Sequence, residues 1–333
     1  MGVALRDIVI DYKSPVSWDA LSGIAAIDAS NALYQFLTII RQPDGTPLMD
    51  HRGRVTSHLS GILFRMATFL DKSIKPVFVF DGEPTDLKKA TIEERRKLRT
   101  EAGERWKEAL ARGDEEEAYK QARSSTRVDA AVIETSKELL QLLGIPFVQA
   151  PGEGEAQAAH MAARGDVRYV VSQDYDTLLF GAPILIRNLT VSGKRKIRGR
   201  TVTVVPERIV LADLLSGLSV TREQLIQIGI LVGTDFNDGV DGVGAKTGLR
   251  IVRSGEFAGK LKEKMPDFDP EPAMDIFLHP PVTDDYALSW GHPDIEGIRK
   301  MLCDGYDFSV DRVNKALEGF TLKAGQRTLE GWF

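Results

Sequence analysis

Cysteine is nearly missing from this chain. The single Cys303 excludes an internal disulfide and any cysteine-built zinc site. Histidine is scarce as well, with five in 333 residues and none at metal-ligand spacing, so an imidazole-held metal is excluded. No apolar run approaches the roughly 18–20 residues that cross a bilayer. The opening MGVALRDIVIDYK carries acids where a signal peptide carries an apolar core, and Arg6 stands where an N-myristoylation signal wants Ser or Thr. These absences point to a cytoplasmic or nuclear type of compartment and to no membrane partner. A surplus of positive charge is also missing, since the net charge is −5. That sum alone argues against nucleic acid, but the distribution of charge outweighs its total. Two stretches are strongly basic, KKATIEERRKLR (88–99) and KRKIRGR (194–200).

What is present is a large core. Apolar residues make up 43% and charged residues 27%, the balance of a globular chain of one large domain or two small ones. Short β-type runs occur at GIAAID (23–28), PVFVFD (76–81), IPFVQA (145–150), RYVVSQ (168–173) and PILIRN (183–188). Helical patterns over 30–41, 55–72, 128–143 and 153–164 separate the first four. Strands alternating with helices predict an α/β fold with a mostly parallel central sheet flanked by helices. Residues 189–205 read as a hairpin whose turn is the basic loop. Residues 82–127 break the rhythm: rich in Glu, Lys, Arg and Ala, they predict a helical insertion standing off the domain, with little to form a core of its own. Beyond Thr221 the pattern turns helical, with Gly and Pro turns.

The acids then fall into place. Asp28 and Asp81 close the first two strands, Glu153 and Glu155 follow the third, Asp174 and Asp176 close the fourth, and Asp235 follows an apolar helix. In an open α/β sheet ligands bind outside the carboxyl ends of the strands, so all seven are candidates for one crevice. Any one alone would serve as a helix cap or a turn residue. Seven together repel one another unless cations are present. With no His or Cys alongside, the implied cation is hard, and oxygen ligation suits magnesium or manganese. Two ions roughly 3.5–4 Å apart clamp the attacking and leaving oxygens of a phosphoryl transfer.

At these residues the sequence resembles the flap endonucleases, of the XPG-type structure-specific 5′ nuclease family, in their archaeal form. AIDASNALYQF, PVFVFDGEP, APGEGEAQAA, SQDYDTLLFG and LVGTDFNDGVDGVGAKTG stand in the family order. The resemblance spans essentially the whole chain. It implies a PIN-like 5′ nuclease fold, with Asp28, Asp81, Glu153, Glu155, Asp174, Asp176 and Asp235 as ligands of two Mg²⁺ ions, for which Mn²⁺ substitutes. The implied activity is two-metal-ion hydrolysis of 5′ flaps at single-strand/double-strand DNA junctions, with 5′–3′ exonuclease activity, in Okazaki fragment maturation and repair. The insertion becomes a helical arch, or clamp, for the 5′ single strand. Lys88 and Arg95 match its scissile-phosphate cations, although a slip of one position would exchange Arg95 for Arg96. Tyr34 matches the aromatic on which a base stacks; on pattern alone it reads as a core tyrosine. The segment 41–55 corresponds to the wedge that opens the junction.

GVDGVGAKTG (239–248) is not a phosphate-binding P-loop, because Ala245 separates Gly244 from Lys246 and no strand precedes it. The resemblance places a helix–two-turn–helix element here, with Gly242, Gly244 and Lys246 on duplex DNA and a K⁺ ion as a further ligand. Gln326, Leu329, Trp332 and Phe333 fit the Q-x-x-[LIM]-x-x-aromatic-aromatic box that docks on the DNA sliding clamp (PCNA). The implied regions are an N-terminal nuclease region (1–98), the arch (82–127), an internal nuclease region (117–258) with the helix–two-turn–helix at about 222–255, a C-terminal helical region (259–320) and the clamp-binding peptide (325–333). A monomer is implied, nucleoid-associated in the cytoplasm if archaeal and nuclear if eukaryotic. Two rivals remain on the residues alone: a metal phosphohydrolase of small phosphate esters, and a non-catalytic DNA-binding clamp adaptor.

Overall fold

Alternating apolar residues in short runs build one sheet with both faces covered. The computed structural model describes residues 2–42, 45–191, 193–197 and 200–324. Its strands are β1 (Ser14–Pro15), β2 (Gly23–Asp28), β3 (Ile74–Phe80), β4 (Phe147–Gln149), β5 (Tyr169–Val171), β6 (Ile184–Arg187), β7 (Gly193–Ile197), β8 (Arg200–Val204) and β9 (Glu207–Val210). Across the sheet the order is β1-β9-β6-β5-β2-β3-β4, and β7 with β8 forms a separate two-stranded hairpin. Strands β2 to β6 are parallel. β9 lies antiparallel to β6, and β1 closes that edge antiparallel to β9.

The side chains obey the two-residue period of a strand. Ala26, Val77, Val79 and Val170 point into one buried cluster, packed by the helices Gly154–Arg164, Leu211–Leu218 and Arg222–Val232. Ala25, Ile27, Phe78, Phe80, Tyr169 and Val171 point into a second, covered by Ala29–Ile39, Ser57–Asp71, Ala130–Leu142 and Val310–Ala324. A large apolar side chain fully withdrawn from water contributes about 1.5–3 kcal/mol. Such a core can hold a cluster of like charges at its rim.

The expected alternation of strands and helices is present, with ends shifted by no more than two residues. The two antiparallel strands on one side of the sheet, β9 and the edge strand β1, were not expected. β1 spans two residues and β9 four, too short to carry a period. The 193–204 hairpin stands within the expected span, and residues 198–199 at its turn lie outside the described residues. The tail carrying Gln326, Leu329, Trp332 and Phe333 also lies outside them. Among the described residues no helix is long and apolar enough to cross a membrane.

The charged insertion corrects one expectation. It forms the helices Asp86–Arg112 and Glu115–Ser124, joined through Gly113 at φ 71°, a conformation that favours glycine. Between them runs a seam of small buried residues, Ala102, Ala109, Ala118 and Ala122. Alanine is a strong helix former, and here it also lets the two helices pack closely. The insertion is therefore a packed hairpin, and its first helix reaches back into the carboxylate cluster.

Candidate metal centre

Order in the sheet places the acids. After β2 and β3 the chain reaches the edge at β4, then crosses to β5 on the other side of β2. The strand order thus reverses between β2 and β5, the place where open α/β sheets bind ligands. Asp28 ends β2 and caps the next helix, its Oδ1 accepting the Asn31 N–H at 3.0 Å. Asp81 follows β3; its Oδ1 accepts the Gly154 N–H at 2.7 Å and its Oδ2 accepts the Ser30 hydroxyl. Glu153 precedes and Glu155 opens the Gly154–Arg164 helix. Asp174 lies past β5, and Asp176 starts the short helix Asp176–Leu179. Asp235 follows the Arg222–Val232 helix.

The seven acids divide by their counter-charge. Glu153 and Asp235 face two cations of the insertion. Lys88 is bonded to Glu153, and its Nζ lies 3.5 Å from Asp235 Oδ2. Arg95 grips Asp235 with both terminal nitrogens, Nη1 at 3.1 Å from Oδ2 and Nη2 on Oδ1. Thr91 Oγ1 donates to the Asp235 carbonyl at 3.0 Å. Lys88, Thr91 and Arg95 stand at i, i+3 and i+7, one face of a helix. Arg96 lies about 100° round from Arg95, where it is exposed and 3.9 Å from Glu93. Arg95, and not Arg96, is therefore the arginine that faces the acids. Burial opposes the Asp235 charge, yet Arg95 and Lys88 hold its carboxyl below the ordinary range. Burial also opposes the Lys88 charge, but Glu153 holds the ammonium above its usual value.

The inner acids lack such partners. Asp28 and Asp176 are each 4% exposed. Burial, then the charge of Asp81, pushes Asp28 up to about 7. Burial, then Asp235, does the same to Asp176, also to about 7. Burial and Asp28 push Glu155 well above its ordinary value. The hydroxyl of Ser172 explains the link between two of them. Its Oγ is 2.9 Å from Asp28 Oδ2 and 2.9 Å from Glu155 Oε1, and it accepts the Asp174 N–H at 3.1 Å. A hydroxyl carries one hydrogen, so both acids cannot be ionised and both be bonded to it. Thr177 Oγ1 gives Glu155 a second donor at 2.7 Å. The Val3 N–H donates to Asp176 Oδ1 at 2.6 Å.

Among the described residues no three acids, histidines or cysteines converge into a ready-made ion cage. The donor set nonetheless fits a hard divalent cation: all oxygen, with Asp28, Asp176 and Asp235 buried and the inner acids short of positive charge. The cost of that shortage has a pH signature. An acid raised from 3.8 to about 7 binds protons in the folded state that it has lost in the unfolded one. Stability of the metal-free protein therefore falls as pH rises from about 4 to 7 and stays low above that. Asn caps a helix as well as Asp does. Asp28→Asn is thus expected to stabilise the metal-free protein by on the order of 2–4 kcal/mol at pH 8, and by little at pH 4. Urea unfolding in EDTA at both pH values checks this; an equal gain at both would contradict it.

The other expected residues are dispersed. Tyr34 is half-buried on the Ala29–Ile39 helix and is not part of the core, against its reading on pattern alone. In the 41–55 segment, of which residues 43–44 lie outside the described residues, the 50–54 turn is fastened in place: Asp50 Oδ1 accepts the N–H groups of Arg52 and Arg54 at 3.0 and 2.8 Å, the Arg54 guanidinium lies 4.1 Å from the Tyr306 ring centre, and His51 N–H donates to Asp307 Oδ2 at 2.7 Å. A cavity of about 450 Å³ beside it is lined by Arg41, His58, Trp106 and Thr126, and by none of the seven acids. Gly242 and Gly244 stand in the turn before the Ala245–Arg253 helix, with nothing near them that a side chain would strike. Gly242 has φ 73°, and Lys246 is exposed. At Gly239 (φ 78°) a Cβ would come within 2.5 Å of the Val232–Gly233 backbone, so this turn needs glycine.

Sequence reasoning missed Ser30, Asn31, Ser172 and Thr177, and the backbone of Val3 and Gly154. The four side chains lie within a few residues of the acids. Their proximity was the available signal, but small polar residues at strand ends also serve as ordinary caps and turns.

Comparison with known proteins agrees with this geometry. The XPG N-terminal domain matches residues 1–102 and the XPG I-region matches residues 144–235. Flap endonuclease 1 of Methanoregula boonei is 73% identical over 333 residues, covering 100% of both chains. Flap endonuclease 1 of Pyrococcus furiosus is 52% identical over 340 residues, covering 100% of this chain and 99% of its own. The solved structure of flap endonuclease-1 from Methanococcus jannaschii superposes with a TM-score of 0.76 at 43% identity, covering 94% of this chain and 96% of that one. Acids gathered at the switch point of a parallel sheet, insertion cations meeting them, and these matches lead to one assignment: the chain belongs to the XPG family, in its flap endonuclease 1 group.

Proposed function

We propose that this chain is a structure-specific 5′ flap endonuclease with 5′–3′ exonuclease activity, hydrolysing DNA at single-strand/double-strand junctions in Okazaki fragment maturation and repair. The observation that carries this reading is the meeting of Lys88 and Arg95, from the insertion, with acids at the carboxyl ends of the parallel strands. A strand passing the insertion would meet cations and acids at one place. The acids would hold two divalent ions, magnesium by their oxygen chemistry. When bound, these ions supply charge for the transferring phosphoryl group and lower the pKa of attacking water.

The residues of the chain do the rest. Lys88 and Arg95 move from their carboxylates to the phosphate, where fixed cations stabilise the growing negative charge. Tyr34, half-exposed on the helix that Asp28 caps, offers a face for a base. The open Gly242–Gly244 turn and exposed Lys246 suit a duplex backbone and a K⁺ ion. Such contacts read shape, not sequence. Regions 1–98 and 117–258 carry the acids, 82–127 the arch, 222–255 the duplex grip, and 259–320 the helical support behind the wedge. Peptide 325–333 would dock on the sliding clamp. The protein would act as a monomer beside the nucleoid.

The test is a 5′-labelled flap duplex against a small phosphodiester such as bis-p-nitrophenyl phosphate. Mg²⁺-dependent cutting at the junction, absent in EDTA, is expected. Hydrolysis of the small ester alone, with the flap intact, would overturn the nuclease reading.

A further inference from the structure

Gln173 sits two residues beyond the end of β5, where its backbone has no strand to pair with. A buried backbone group without a partner is costly, and here two side chains from different elements supply both partners. Asn31 Oδ1 accepts the Gln173 N–H at 3.2 Å. Arg187 Nε donates to the Gln173 carbonyl at 3.1 Å. We infer that Asn31 and Arg187 are positioning residues, a two-sided clamp on the Gln173–Tyr175 loop that sets Asp174 in place for divalent-ion binding. This rests on the metal reading above.

Each side of the clamp is itself built. The Asn31 amide has one consistent orientation, because its oxygen must accept from a backbone N–H. Its Nδ2 then faces Asp174 Oδ2 at 3.2 Å. Gln35 Nε2 donates to the same Asn31 oxygen, and Thr190 Oγ1 donates to Gln35 Oε1 at 2.8 Å. Gln35 and Thr190 are buried and Asn31 is half-buried, so the Thr190–Gln35 support behind Asn31 is shielded from water. On the other side, β6 pairs with β5 up to Ile186 opposite Val171. Arg187 is the next residue and falls beside the loop. Its guanidinium lies 4.3 Å from the Tyr175 ring centre and also donates to the Tyr175 hydroxyl. Glu207, its register partner on β9, lies 3.9 Å from it and 3.3 Å from Lys13. Gln173 and Tyr175 are thus held on either side of Asp174, whose own N–H is taken by Ser172.

A guanidinium can act here by charge or by geometry, and the two have opposite signs. A cation near a metal site weakens metal binding, so losing its charge would tighten binding. Losing a clamp would weaken it, typically about 10–100-fold for groups that orient ligands. The experiment is Mn²⁺ titration of the full-length protein, followed by the EPR signal of free Mn²⁺. Arg187→Met and Asn31→Ala are each expected to weaken Mn²⁺ binding about tenfold or more. Arg187→Lys keeps the charge but lacks the planar fork, and should not restore affinity. The double variant should lose less than the two single losses combined, because both partners hold one residue, Gln173, through its N–H and its carbonyl. Near-UV circular dichroism in EDTA identifies folded variants, and Asn31→Ala keeps the test available if Arg187→Met fails to fold. Unchanged or tighter Mn²⁺ binding by the folded variants, or full rescue by Arg187→Lys, would overturn the clamp while leaving the nuclease reading intact. Absence of Mn²⁺ binding by the unsubstituted protein would overturn the metal reading and the clamp with it.

Discussion

Asp174→Ala is expected to lower the single-turnover rate of flap cleavage by about 10³-fold or more, a loss of ~4 kcal/mol of transition-state stabilisation. Flap-DNA binding in Ca²⁺ should stay within about twofold, because Asp174 is an acid and cannot itself attract phosphates. The same substitution should raise the stability of the metal-free protein. Asp174 adds to the repulsion that lifts Asp28, Glu155 and Asp176 above their ordinary values, and Ala removes that charge. A gain in melting temperature in EDTA with a loss of cutting in Mg²⁺ is the pattern of a site kept at the expense of stability. Single-turnover cleavage, fluorescence anisotropy and thermal melts check the three parts. Cleavage at an unchanged rate would show that Asp174 is dispensable.

Arg95→Ala should have the opposite effect on the fold. Arg95 is bonded through both terminal nitrogens to Asp235, whose side chain is only 12% exposed. Its removal leaves a buried carboxylate without its main partner, at a cost of about 2 kcal/mol in metal-free protein. The cleavage rate should fall about 10²–10³-fold, the range for losing one group that stabilises developing charge. Arg96→Ala is the matched control. Arg96 carries the same charge one residue on, yet it points to solvent beside Glu93, so its loss should change the rate by no more than about twofold. Equal losses from both substitutions would mean that the insertion acts through overall charge and not through the geometry of one helix face.

The parallel core was legible because its residues repeat with a short period. Ala25 to Ile27, Val77 to Phe80 and Tyr169 to Val171 alternate between two buried clusters; the first two runs end directly at an acid, and the third reaches Asp174 three residues on. The antiparallel strands β1 and β9 were not legible: Glu207–Val210 takes its place by pairing with β6 and not by any pattern of its own. The acids were read one by one from the ends of runs. Their division into neutralised and unneutralised groups could not be, since it depends on how the Asp86–Arg112 helix is rotated. The spacing of Lys88, Thr91 and Arg95 contains that rotation, but only the position of Asp235 gives it meaning. Asn31, Ser172 and Arg187 were missed for a related reason. Each acts on a group more than ten residues away in sequence, and sequence distance conceals such a contact. The packed seam of the insertion was obscured too, because alanine reads equally as a helix former and as a contact.

The most direct measurement is anomalous diffraction from crystals soaked in Mn²⁺. Two peaks roughly 3.5–4 Å apart are expected among Asp28, Asp81, Glu153, Glu155, Asp174, Asp176 and Asp235, with Lys88 and Arg95 displaced from Glu153 and Asp235. A crystal with no peak in this cluster at saturating Mn²⁺, and with both ion pairs intact, would contradict the metal centre on which the rest depends.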